Sequence, residues 1–205
     1  MRRVITATDL AGVPDGAEFR VPRGVLVTPA AAEQAAARKI RLVEVAPEEL
    51  PATPPDRVVA LGADHGGFRL KEALKPVLAE LGLEARDVGV HEEKPADYPD
   101  IAAQVAELVA SGAASRGLVV DGAGIGSAMA ANKVPGIRAA LCYDKASARN
   151  SREHNDANVL TLGGRLLTES QARDVLVTFL TTPFAGGRHA KRVAKIADIE
   201  RRYRG

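Results

Sequence analysis

Residues 117–127 read G-L-V-V-D-G-A-G-I-G-S, an apolar run that ends at an aspartate and opens into a glycine-rich loop. Residues 117–120 predict a buried strand, and residues 128–132, after the loop, predict a helix. Strands that pass through short loops into helices are typical of α/β sheets, in which ligands bind beyond the carboxyl ends of the strands. This stretch therefore predicts an α/β fold and places a candidate site at the end of its strand.

The chain from Arg57 onward repeats this alternation of apolar, β-branched segments with amphipathic ones. Strands are predicted over residues 58–62, 84–88, 117–120, 137–142 and 159–162. Helices are predicted over residues 70–81, 101–109, 128–132, 146–153, 169–180 and 188–202. Right-handed crossovers between parallel strands then give a doubly wound, Rossmann-like parallel sheet of about five strands, with helices on both faces.

A proline-rich segment divides the chain. Residues 46–56 read A-P-E-E-L-P-A-T-P-P-D and hold four of the twelve prolines, which favour extended conformations over helices and central strands. We therefore predict a linker at residues 46–56, between a small N-terminal module of residues 1–45 and a larger domain of residues 57–205.

The N-terminal module is predicted to hold two short strands and one helix. The strands lie at residues 25–27 and 41–45, and the helix covers residues 30–39, with Thr28 as its cap and Pro29 at its first position. About 45 residues with few large apolar side chains make a poor independent core, so we expect this module to pack against another surface.

The composition argues against several classes of protein. The 205 residues carry a net charge of +2, no tryptophan and only 3% aromatic residues, which disfavours nucleic-acid binding. The one cysteine, Cys142, cannot form an internal disulfide framework or a cysteine-rich zinc site. The start does not resemble a secretory signal and no apolar run reaches about 18 residues, so we expect a cytoplasmic protein without a membrane span.

Three polar segments adjoin predicted strands and are candidates for the site. They are residues 62–67, G-A-D-H-G-G, residues 121–127, and residues 151–158, S-R-E-H-N-D-A-N. We expect them to converge at one edge of the sheet. Glycines let the backbone approach a ligand and turn N–H groups toward negative charge, although the loop at 121–127 matches neither standard nucleotide-binding motif.

Each of these features also has an ordinary structural explanation. Asp64 and Asp121 are good helix caps, and the loop glycines are compatible with a simple strand-to-helix turn. In the C-terminal tail, Arg188 and Arg192 lie four residues apart on one predicted helix face, which suits a phosphate group. A solvated basic face is the alternative for the tail.

Five segments, taken together and in this order, resemble the ribose-5-phosphate isomerase type B family, which includes the galactose-6-phosphate isomerase subunits. They are V-A-L-G-A-D-H-G-G-F-R-L-K-E, D-Y-P-D, D-G-A-G-I-G-S-A-M-A-A-N-K-V-P-G-I-R-A-A-L-C-Y-D, S-R-E-H-N-D-A-N-V-L-T-L-G-G-R and F-A-G-G-R-H-A-K-R-V. They cover about residues 57–202. The resemblance implies an aldose–ketose isomerase of phosphorylated sugars that needs no metal or cofactor. It also implies a dimer or tetramer in which a neighbouring subunit completes each active site.

The resemblance also assigns roles to residues of this chain. Residues that match sugar-binding or ring-opening positions are Asp64, His65, Tyr98, His154 and Asn155, of which His154 matches the ring-opening residue. Residues that match the phosphate site are Arg188 and Arg192, with His189 between them. Residues that match the anion hole for the enediolate are Gly122, Ala123, Gly124, Ile125 and Gly126.

Asp121 is the main departure from the family pattern. Better-known members have a cysteine there as catalytic base, in C-G-T-G-[IV]-G, and a threonine in place of Ala123. Some members use a carboxylate base from a different position on the loop. A carboxylate is ionised at pH 7 without help, whereas a thiol with a pKa near 8.5 must be activated, so we hypothesise that Asp121 is the base. Ribose 5-phosphate is the favoured substrate. Ala123 removes a hydroxyl donor that bears on sugar specificity, so other phosphorylated sugars stay candidates.

Two alternatives to a ribose-5-phosphate isomerase stay open from the sequence. One is an isomerase of a different phosphorylated sugar, such as a tetrose, a deoxy sugar or a hexose. The other is a catalytically silent, sugar-phosphate-binding scaffold subunit that has lost the thiol base. A nucleotide-binding module is disfavoured because the glycine loop fails the nucleotide motifs.

The N-terminal module carries a second resemblance. Residues 26–42, L-V-T-P-A-A-A-E-Q-A-A-A-R-K-I-R-L, are similar to a short T-P-A-A-R-x-x-A-x-x-x-[GK]-I segment of several enzymes associated with bacterial microcompartments. The similarity implies docking to a microcompartment shell or its cargo through residues 1–45, and hence a place inside that compartment. A lineage-specific decoration that packs on its own domain is the alternative.

Overall fold

The computed structural model describes residues 4–10, 13–45 and 55–203. The chain divides into two units between residues 52 and 53. Most of the predicted linker, residues 46–54, lies outside the described residues, and residues 55–57 form a short 3-10 turn that leads into the second unit. No helix in the described ranges is long and apolar enough to cross a membrane.

In its described residues, the N-terminal unit contains four short strands and one α-helix, with a 3-10 turn at Ala7–Leu10. They are β1 (Val4–Ile5), β2 (Glu18–Pro22), β3 (Leu26–Val27), α1 (Pro29–Ala37) and β4 (Arg41–Val45). Strand β1 pairs in parallel with β3, and β2 pairs in parallel with β4. The predicted cap of α1 is confirmed, since Thr28 Oγ1 accepts a hydrogen bond from the Ala31 N–H at 3.3 Å. Strands β1 and β2 are absent from the sequence prediction.

This unit has a small core of its own. Among the residues that the structure describes here, six buried side chains form this core: Ile5, Leu10, Val21, Ala31, Ala35 and Ile40. Alanines on the inner face of α1 let the helix lie close to the strands, but they bury little apolar area. The expectation that the module packs against another surface stays a prediction.

The C-terminal unit alternates strands and helices as predicted. Its strands are β5 (Val58–Ala63), β6 (Glu84–Asp87), β7 (Arg116–Asp121), β8 (Ala139–Leu141) and β9 (Val159–Gly163). Its helices are α2 (Phe68–Glu80), α3 (Tyr98–Ala110), α4 (Ile125–Ala131), α5 (Lys145–Glu153), α6 (Glu169–Thr181) and α7 (Arg188–Tyr203). The predicted doubly wound α/β fold is confirmed.

The five strands form one parallel sheet in the order β6-β5-β7-β9-β8. From β5 the chain moves outward to β6 and then returns to build β7 on the other side of β5. The carboxyl ends of β5 and β7 therefore flank the point where the strand order reverses. Parallel α/β sheets bind ligands at such points, because the loops there diverge to opposite faces.

Two apolar layers hold the helices on the sheet. One face carries Leu61, Leu118 and Leu160, packed with buried residues of α2 and α6 such as Leu74 and Phe179. Each fully buried side chain of this size contributes about 1.5–3 kcal/mol relative to an exposed one. The other face packs Ala60, Val119 and Val159 against α3. There Gly62 is required, because an added Cβ would lie 2.6 Å from Ile101 Cγ2.

A buried ion pair fixes the outer strand β6. Lys71 on α2 is fully buried, and its Nζ donates to Asp87 Oδ2 at 2.6 Å and to the Val90 carbonyl at 2.7 Å. Lys75 Nζ also lies 2.6 Å from Asp87 Oδ2. Burial alone would raise the pKa of Asp87, but hydrogen bonds from the two lysines and the Gly89 N–H hold it below its ordinary value.

Candidate active site

Loops that follow three neighbouring strands meet at the carboxyl edge of the sheet. The Gly164 N–H donates to the Asp121 carbonyl at 2.7 Å, which joins the loop after β9 to the end of β7. The Arg165 N–H donates to the Gly122 carbonyl at 3.1 Å and continues that contact. On the other side, the Asp64 N–H donates to the Val120 carbonyl at 3.3 Å. Main-chain hydrogen bonds thus hold the three loops together.

Asp64 organises the loop after β5. Its Oδ1 accepts hydrogen bonds from the Gly66 N–H at 2.8 Å and the Gly67 N–H at 3.0 Å. An added Cβ on Gly67 would fall 2.0 Å from the Val120 carbonyl oxygen, so only glycine lets this loop lie on β7. The next predicted site residue, His65, is exposed at the same edge. Both members of the predicted pair therefore lie beside the glycine loop.

Asp121 is held inward by its own loop. Its Oδ1 accepts the Ala123 N–H at 2.7 Å and the Gly124 N–H, and its Oδ2 accepts the Ser127 N–H at 2.9 Å and the Ser127 hydroxyl. A carboxylate has about four acceptor positions, so these donors fill them. Only 5% of the residue is exposed. Asp121 therefore caps the loop and the start of α4, as the structural alternative expected. Its role as base stays a prediction, and that role requires some of these hydrogen bonds to break.

Half of the loop's N–H groups remain available. Within the part of the chain that the structure describes, the N–H groups of Gly122, Ile125 and Gly126 have no protein acceptor. Gly124 adopts a positive φ of 79°, a conformation that favours glycine and that turns the chain from β7 into α4. The predicted anion-hole residues therefore form one tight turn. Some of its N–H groups donate to Asp121, and the others have no protein acceptor among the described residues.

Two tyrosines flank this turn. Tyr98, the first residue of α3, lies against Gly126, where an added Cβ would come within 2.4 Å of its Cε2. Tyr143 follows β8, and its hydroxyl donates to the Ala123 carbonyl at 2.8 Å. Both side chains belong to residues that are 40% exposed. The structure thus places the predicted Tyr98 at the loop and adds Tyr143.

Arg165 is the second residue at this edge that the sequence prediction missed. Its Cδ and Nε lie 3.7 and 3.8 Å from the position of a Cβ on Gly122. A usable signal existed for both missed residues, since Arg165 and Tyr143 each come within two residues of a strand's carboxyl end, as Asp64 and Asp121 do. Applying that rule to β8 and β9 would have found them.

A second polar cluster contains His154 and His189. His154 ends α5, and its ring stacks on that of His189 with centroids 4.2 Å apart and planes 2° from parallel. Asn150 Nδ2 lies 2.9 Å from His154 Nδ1, and Arg188 Nε donates to His189 Nε2 at 3.4 Å. Burial, followed by the nearby charges of His154 and the two tail arginines, lowers the pKa of His189.

Asn155 and Arg192 border the same cluster. The Asn155 side-chain amide donates to the carbonyl and the side-chain oxygen of Asn150, both at 3.3 Å. Arg188 and Arg192 are both exposed and lie one turn apart at the beginning of α7. The residues that match the ring-opening and phosphate positions thus lie together, as one group.

The predicted convergence of all three polar segments within one chain is wrong. Residues 151–158 lead into the amino end of β9, where the Asn158 carbonyl accepts the Gly117 N–H at 2.9 Å. The loop of Asp121 leaves the carboxyl end of β7, five residues further along that strand, or about 16 Å at 3.3 Å per residue. No hydrogen bond, ion pair or ring contact between described residues joins the two groups. Chain direction explains this, because parallel strands place all their amino ends at one edge.

Cys142 does not take the place of the missing cysteine. The residue is 1% exposed, lies in the apolar core, and its Sγ contacts Ser151 Oγ at 3.9 Å. Burial raises the pKa of the thiol, which keeps it protonated and inert. Across the described ranges, no group of three or more histidine, cysteine, aspartate or glutamate side chains is placed to hold a metal ion.

Comparison with known proteins agrees with this geometry. The family model described as Ribose/Galactose Isomerase matches residues 59–196. Ribose-5-phosphate isomerase B of Escherichia coli is 42% identical over 144 residues, which cover 70% of this chain and 97% of that protein. The solved structure of Clostridium thermocellum ribose-5-phosphate isomerase B is 49% identical, with a TM-score of 0.70, and the match covers 71% of this chain and 99% of that one.

A second solved structure gives the same result. The structure of Trypanosoma cruzi type B ribose 5-phosphate isomerase is 44% identical, with a TM-score of 0.70 and coverage of 72% of this chain and 99% of that chain. The family match begins at residue 59, so the N-terminal unit lies outside it. On the fold, the ordered motifs and these matches, the chain belongs to the ribose/galactose isomerase family and is an isomerase.

Proposed function

We propose that the protein interconverts ribose 5-phosphate and ribulose 5-phosphate by proton transfer, without a metal or cofactor. Asp121 acts as the base in place of the usual cysteine, and His154 opens the sugar ring. The observation that carries the proposal is one loop at the reversal point of the sheet that joins a buried carboxylate to unpaired N–H groups. A base and an oxyanion site side by side are what an aldose–ketose isomerisation requires.

The chemistry follows from these two parts. Asp121 removes the proton from C2 of the open-chain sugar, and the electron pair of the broken C–H bond forms the C1–C2 double bond of a cis-enediolate. The former carbonyl oxygen becomes negative, and loop N–H groups such as those of Gly122, Ile125 and Gly126 stabilise it. The hydroxyl proton on O2 passes to O1, and Asp121 returns the carbon-bound proton to C1, which leaves a carbonyl at C2 and completes the ketose. Tyr98 and Asp64, which border the loop, position the sugar hydroxyls.

The phosphate group binds at the start of α7. Arg188 and Arg192 place two positive charges in the first turns of a helix whose first turn carries no acidic residue. The helix dipole favours an anion rather than cations at this end, so the arginines alone are unfavourable there. A phosphate that accepts hydrogen bonds from both guanidinium groups removes this conflict. The lowered pKa of His189 keeps its ring neutral, so that Nε2 can accept from Arg188.

A second copy of the chain completes the site. The base and the phosphate ligands lie at opposite edges of one sheet, so one substrate molecule cannot contact both within a single chain. A homo-oligomer, dimer or tetramer, brings the carboxyl edge of one subunit to the His154 cluster of another. Ile125 and Met129 on α4 are 47% and 65% exposed beside the loop, and such apolar side chains suit an interface.

Two rival functions each have a supporting observation. A different phosphorylated sugar is favoured by Ala123, which gives the loop no side-chain hydroxyl, while Tyr143 brings a phenol to the same residue. A catalytically silent binding subunit is favoured by the four hydrogen bonds that fill the acceptor positions of Asp121. Both rivals keep the family fold. The first differs in which sugar is bound, and the second differs in whether the bound sugar reacts.

An assay panel separates the three functions. Phosphorylated pentose, tetrose, deoxy sugar and hexose aldoses are tested for ketose formation, each with and without EDTA. We expect the largest kcat/KM with ribose 5-phosphate, unchanged by EDTA. A larger value with another sugar identifies a different substrate. Binding of ribose 5-phosphate without turnover of any sugar identifies a silent subunit, and loss of activity in EDTA contradicts the metal-free mechanism.

The N-terminal unit serves a separate purpose in this account. Residues 1–45 dock the enzyme to a bacterial microcompartment shell or to its cargo, which places the enzyme inside that compartment. Two observations support this: the unit has its own core of six buried residues, and the family match begins only at residue 59. An isomerase domain that is already as long as its relatives does not need the extra unit for catalysis.

A further inference from the structure

We propose that Asp121 is the resident anion of the enediolate site, and that each catalytic cycle exchanges its carboxylate for the enediolate oxygen at shared N–H donors. This inference rests on the proposed function. In it, the carboxylate and the enediolate oxygen compete for the N–H groups of Ala123, Gly124 and Ser127. A cysteine base has one sulfur atom, whereas the carboxylate has two oxygens with about four acceptor positions, so Asp121 can bind several of these N–H groups at once.

The hydrogen bonds of the loop carry the inference. Six consecutive residues, 122–127, turn their N–H groups around one turn, and the Asp121 carboxylate occupies three of those groups. The carboxylate is 5% exposed and Ser127 is fully buried, so water cannot replace these bonds freely. The Asp121 carboxylate therefore already occupies half of the N–H groups that could stabilise a transient anion.

The proton transfer itself supplies the exchange. When Asp121 takes the C2 proton, the carboxylate becomes a neutral acid and the substrate carbonyl oxygen becomes negative. Hydrogen bonds to an anion are roughly twice as strong as those to a neutral acceptor, so the shared donors follow the negative charge from protein to substrate. Return of the proton to C1 reverses both changes. The number of anions in the turn stays the same throughout, and no co-reactant is needed.

Ser127 is a positioning residue in this scheme. Its hydroxyl donates to Asp121 Oδ2, and its own N–H donates to the same oxygen at 2.9 Å. The hydroxyl can rotate, whereas the N–H is fixed by α4. Ser127 therefore holds the unprotonated carboxylate in the turn, and rotation of its hydroxyl removes one of its two hydrogen bonds without movement of the backbone.

Two phosphorylated probes test the exchange. Ribitol 5-phosphate carries the phosphate and neutral hydroxyls, whereas a phosphorylated sugar hydroxamate carries an ionisable group whose anion mimics the enediolate. The ratio of their affinities, measured by calorimetry on the full-length protein, isolates the anion site from the phosphate site. In Asp121→Ala the donors are vacant, so we expect the preference for the hydroxamate to rise about tenfold, one charge-assisted hydrogen bond being worth about that factor.

The outcomes separate this inference from the proposed function. Normal binding of ribitol 5-phosphate with an unchanged or smaller hydroxamate preference in Asp121→Ala overturns the exchange alone. Failure of the wild-type protein to bind ribitol 5-phosphate overturns the proposed function and the exchange together. Circular dichroism verifies the fold of the variant. If the alanine variant unfolds, Asp121→Asn replaces the carboxylate with a neutral amide oxygen that binds the N–H groups more weakly, so a smaller rise in the hydroxamate preference is expected, and no rise overturns the exchange.

Serine variants provide an independent test of the positioning role. Ser127→Ala removes one of the four donors to Asp121, so we expect a hydroxamate preference about threefold higher and a lower kcat, with ribitol 5-phosphate binding unchanged. Ser127→Thr restores the hydroxyl and should restore both values. Ser115→Ala is the matched control, because Ser115 Oγ donates to the Val58 carbonyl at the far end of the sheet. Equal effects of Ser127→Ala and Ser115→Ala contradict the role.

Discussion

The imidazole rings of His154 and His189 stack with their centroids 4.2 Å apart and their planes 2° from parallel. Two protonated rings at this separation would repel each other, and Arg188 adds a third positive charge beside them. Burial lowers the pKa of His189 below its ordinary value of 6.5, and the neighbouring positive charges lower it further. At neutral pH the pair thus contains an uncharged His189 that can accept a hydrogen bond.

We expect the His189 titration midpoint to lie below 6.5 in the folded protein and to rise when His154 is replaced by alanine. The unfolded chain then binds more protons than the folded chain between the lowered midpoint and 6.5, so stability falls as the pH falls through this window. NMR titration of the His189 imidazole signals measures its midpoint in the wild-type protein and in His154→Ala. A wild-type midpoint at or above 6.5, or no rise in His154→Ala, contradicts this interpretation of the pair.

The Lys71–Asp87 ion pair predicts a large effect of a small substitution. Asp87→Asn leaves the Lys71 ammonium fully buried beside a neutral amide, which should reduce the free energy of unfolding by about 3 kcal/mol. Glu72→Gln is the control, since Glu72 Oε1 lies 3.1 Å from the same ammonium but its side chain is 41% exposed. Equal losses from the two variants in denaturant unfolding would contradict the importance of burial.

The same carboxylate predicts acid sensitivity. Because the pKa of Asp87 lies below its ordinary value of 3.8 in the folded protein, its contribution to stability is complete above that value. The contribution disappears as the pH falls through the lower, folded-state value. Unfolding measured between pH 5 and pH 2 should therefore show a weaker acid dependence in Asp87→Asn, and an identical dependence would exclude Asp87 as its source.

Cys142 should not react with thiol reagents in the native protein. Its 1% exposure and raised pKa predict no reaction of the native protein with iodoacetamide at neutral pH, and no loss of isomerase activity during the incubation. Mass spectrometry after denaturation should show one alkylated site, which proves that the reagent was active. Inactivation of the native enzyme together with modification of Cys142 would show that the thiol takes part in catalysis.

Deletion of the N-terminal unit tests its separation from catalysis. A protein that begins at residue 53 should remain soluble and keep the kcat/KM of the full chain, because the family match starts at residue 59. The full chain should co-purify with microcompartment shell proteins, and the deletion variant, tested in parallel, should not. Loss of folding or turnover would instead identify the unit as part of the isomerase.

The local elements could be predicted from sequence, and the assembly of the site could not. The apolar run at 58–62 and the cap at Thr28 depend on neighbouring residues alone, and both appear as expected. Strand β1 has only two residues, too few for a periodic pattern. His154 precedes strand β9 whereas Asp121 ends strand β7, so chain direction separates the two residues although their polar surroundings look alike.

The bonds of Asp121 lie beyond sequence prediction for a different reason. An aspartate before a glycine loop can face outward toward a ligand or inward toward its own amides, and the choice depends on whether a donor such as Ser127 is buried beside it. The Tyr143 hydroxyl reaches Ala123 from a strand that is not adjacent to β7. Such contacts between distant segments determine the chemistry of the site, and the local pattern of apolar and polar residues does not predict them.

Hydrogen exchange with solvent tests the role of Asp121 most directly. Wild-type protein and Asp121→Asn are incubated with ribose 5-phosphate in D2O, and NMR follows both ketose formation and deuterium at the exchanging carbon. The wild-type protein should incorporate deuterium as it forms ribulose 5-phosphate, and the folded Asn variant should do both about 10³-fold more slowly. Turnover and exchange near the wild-type rate in Asp121→Asn would contradict Asp121 as the base.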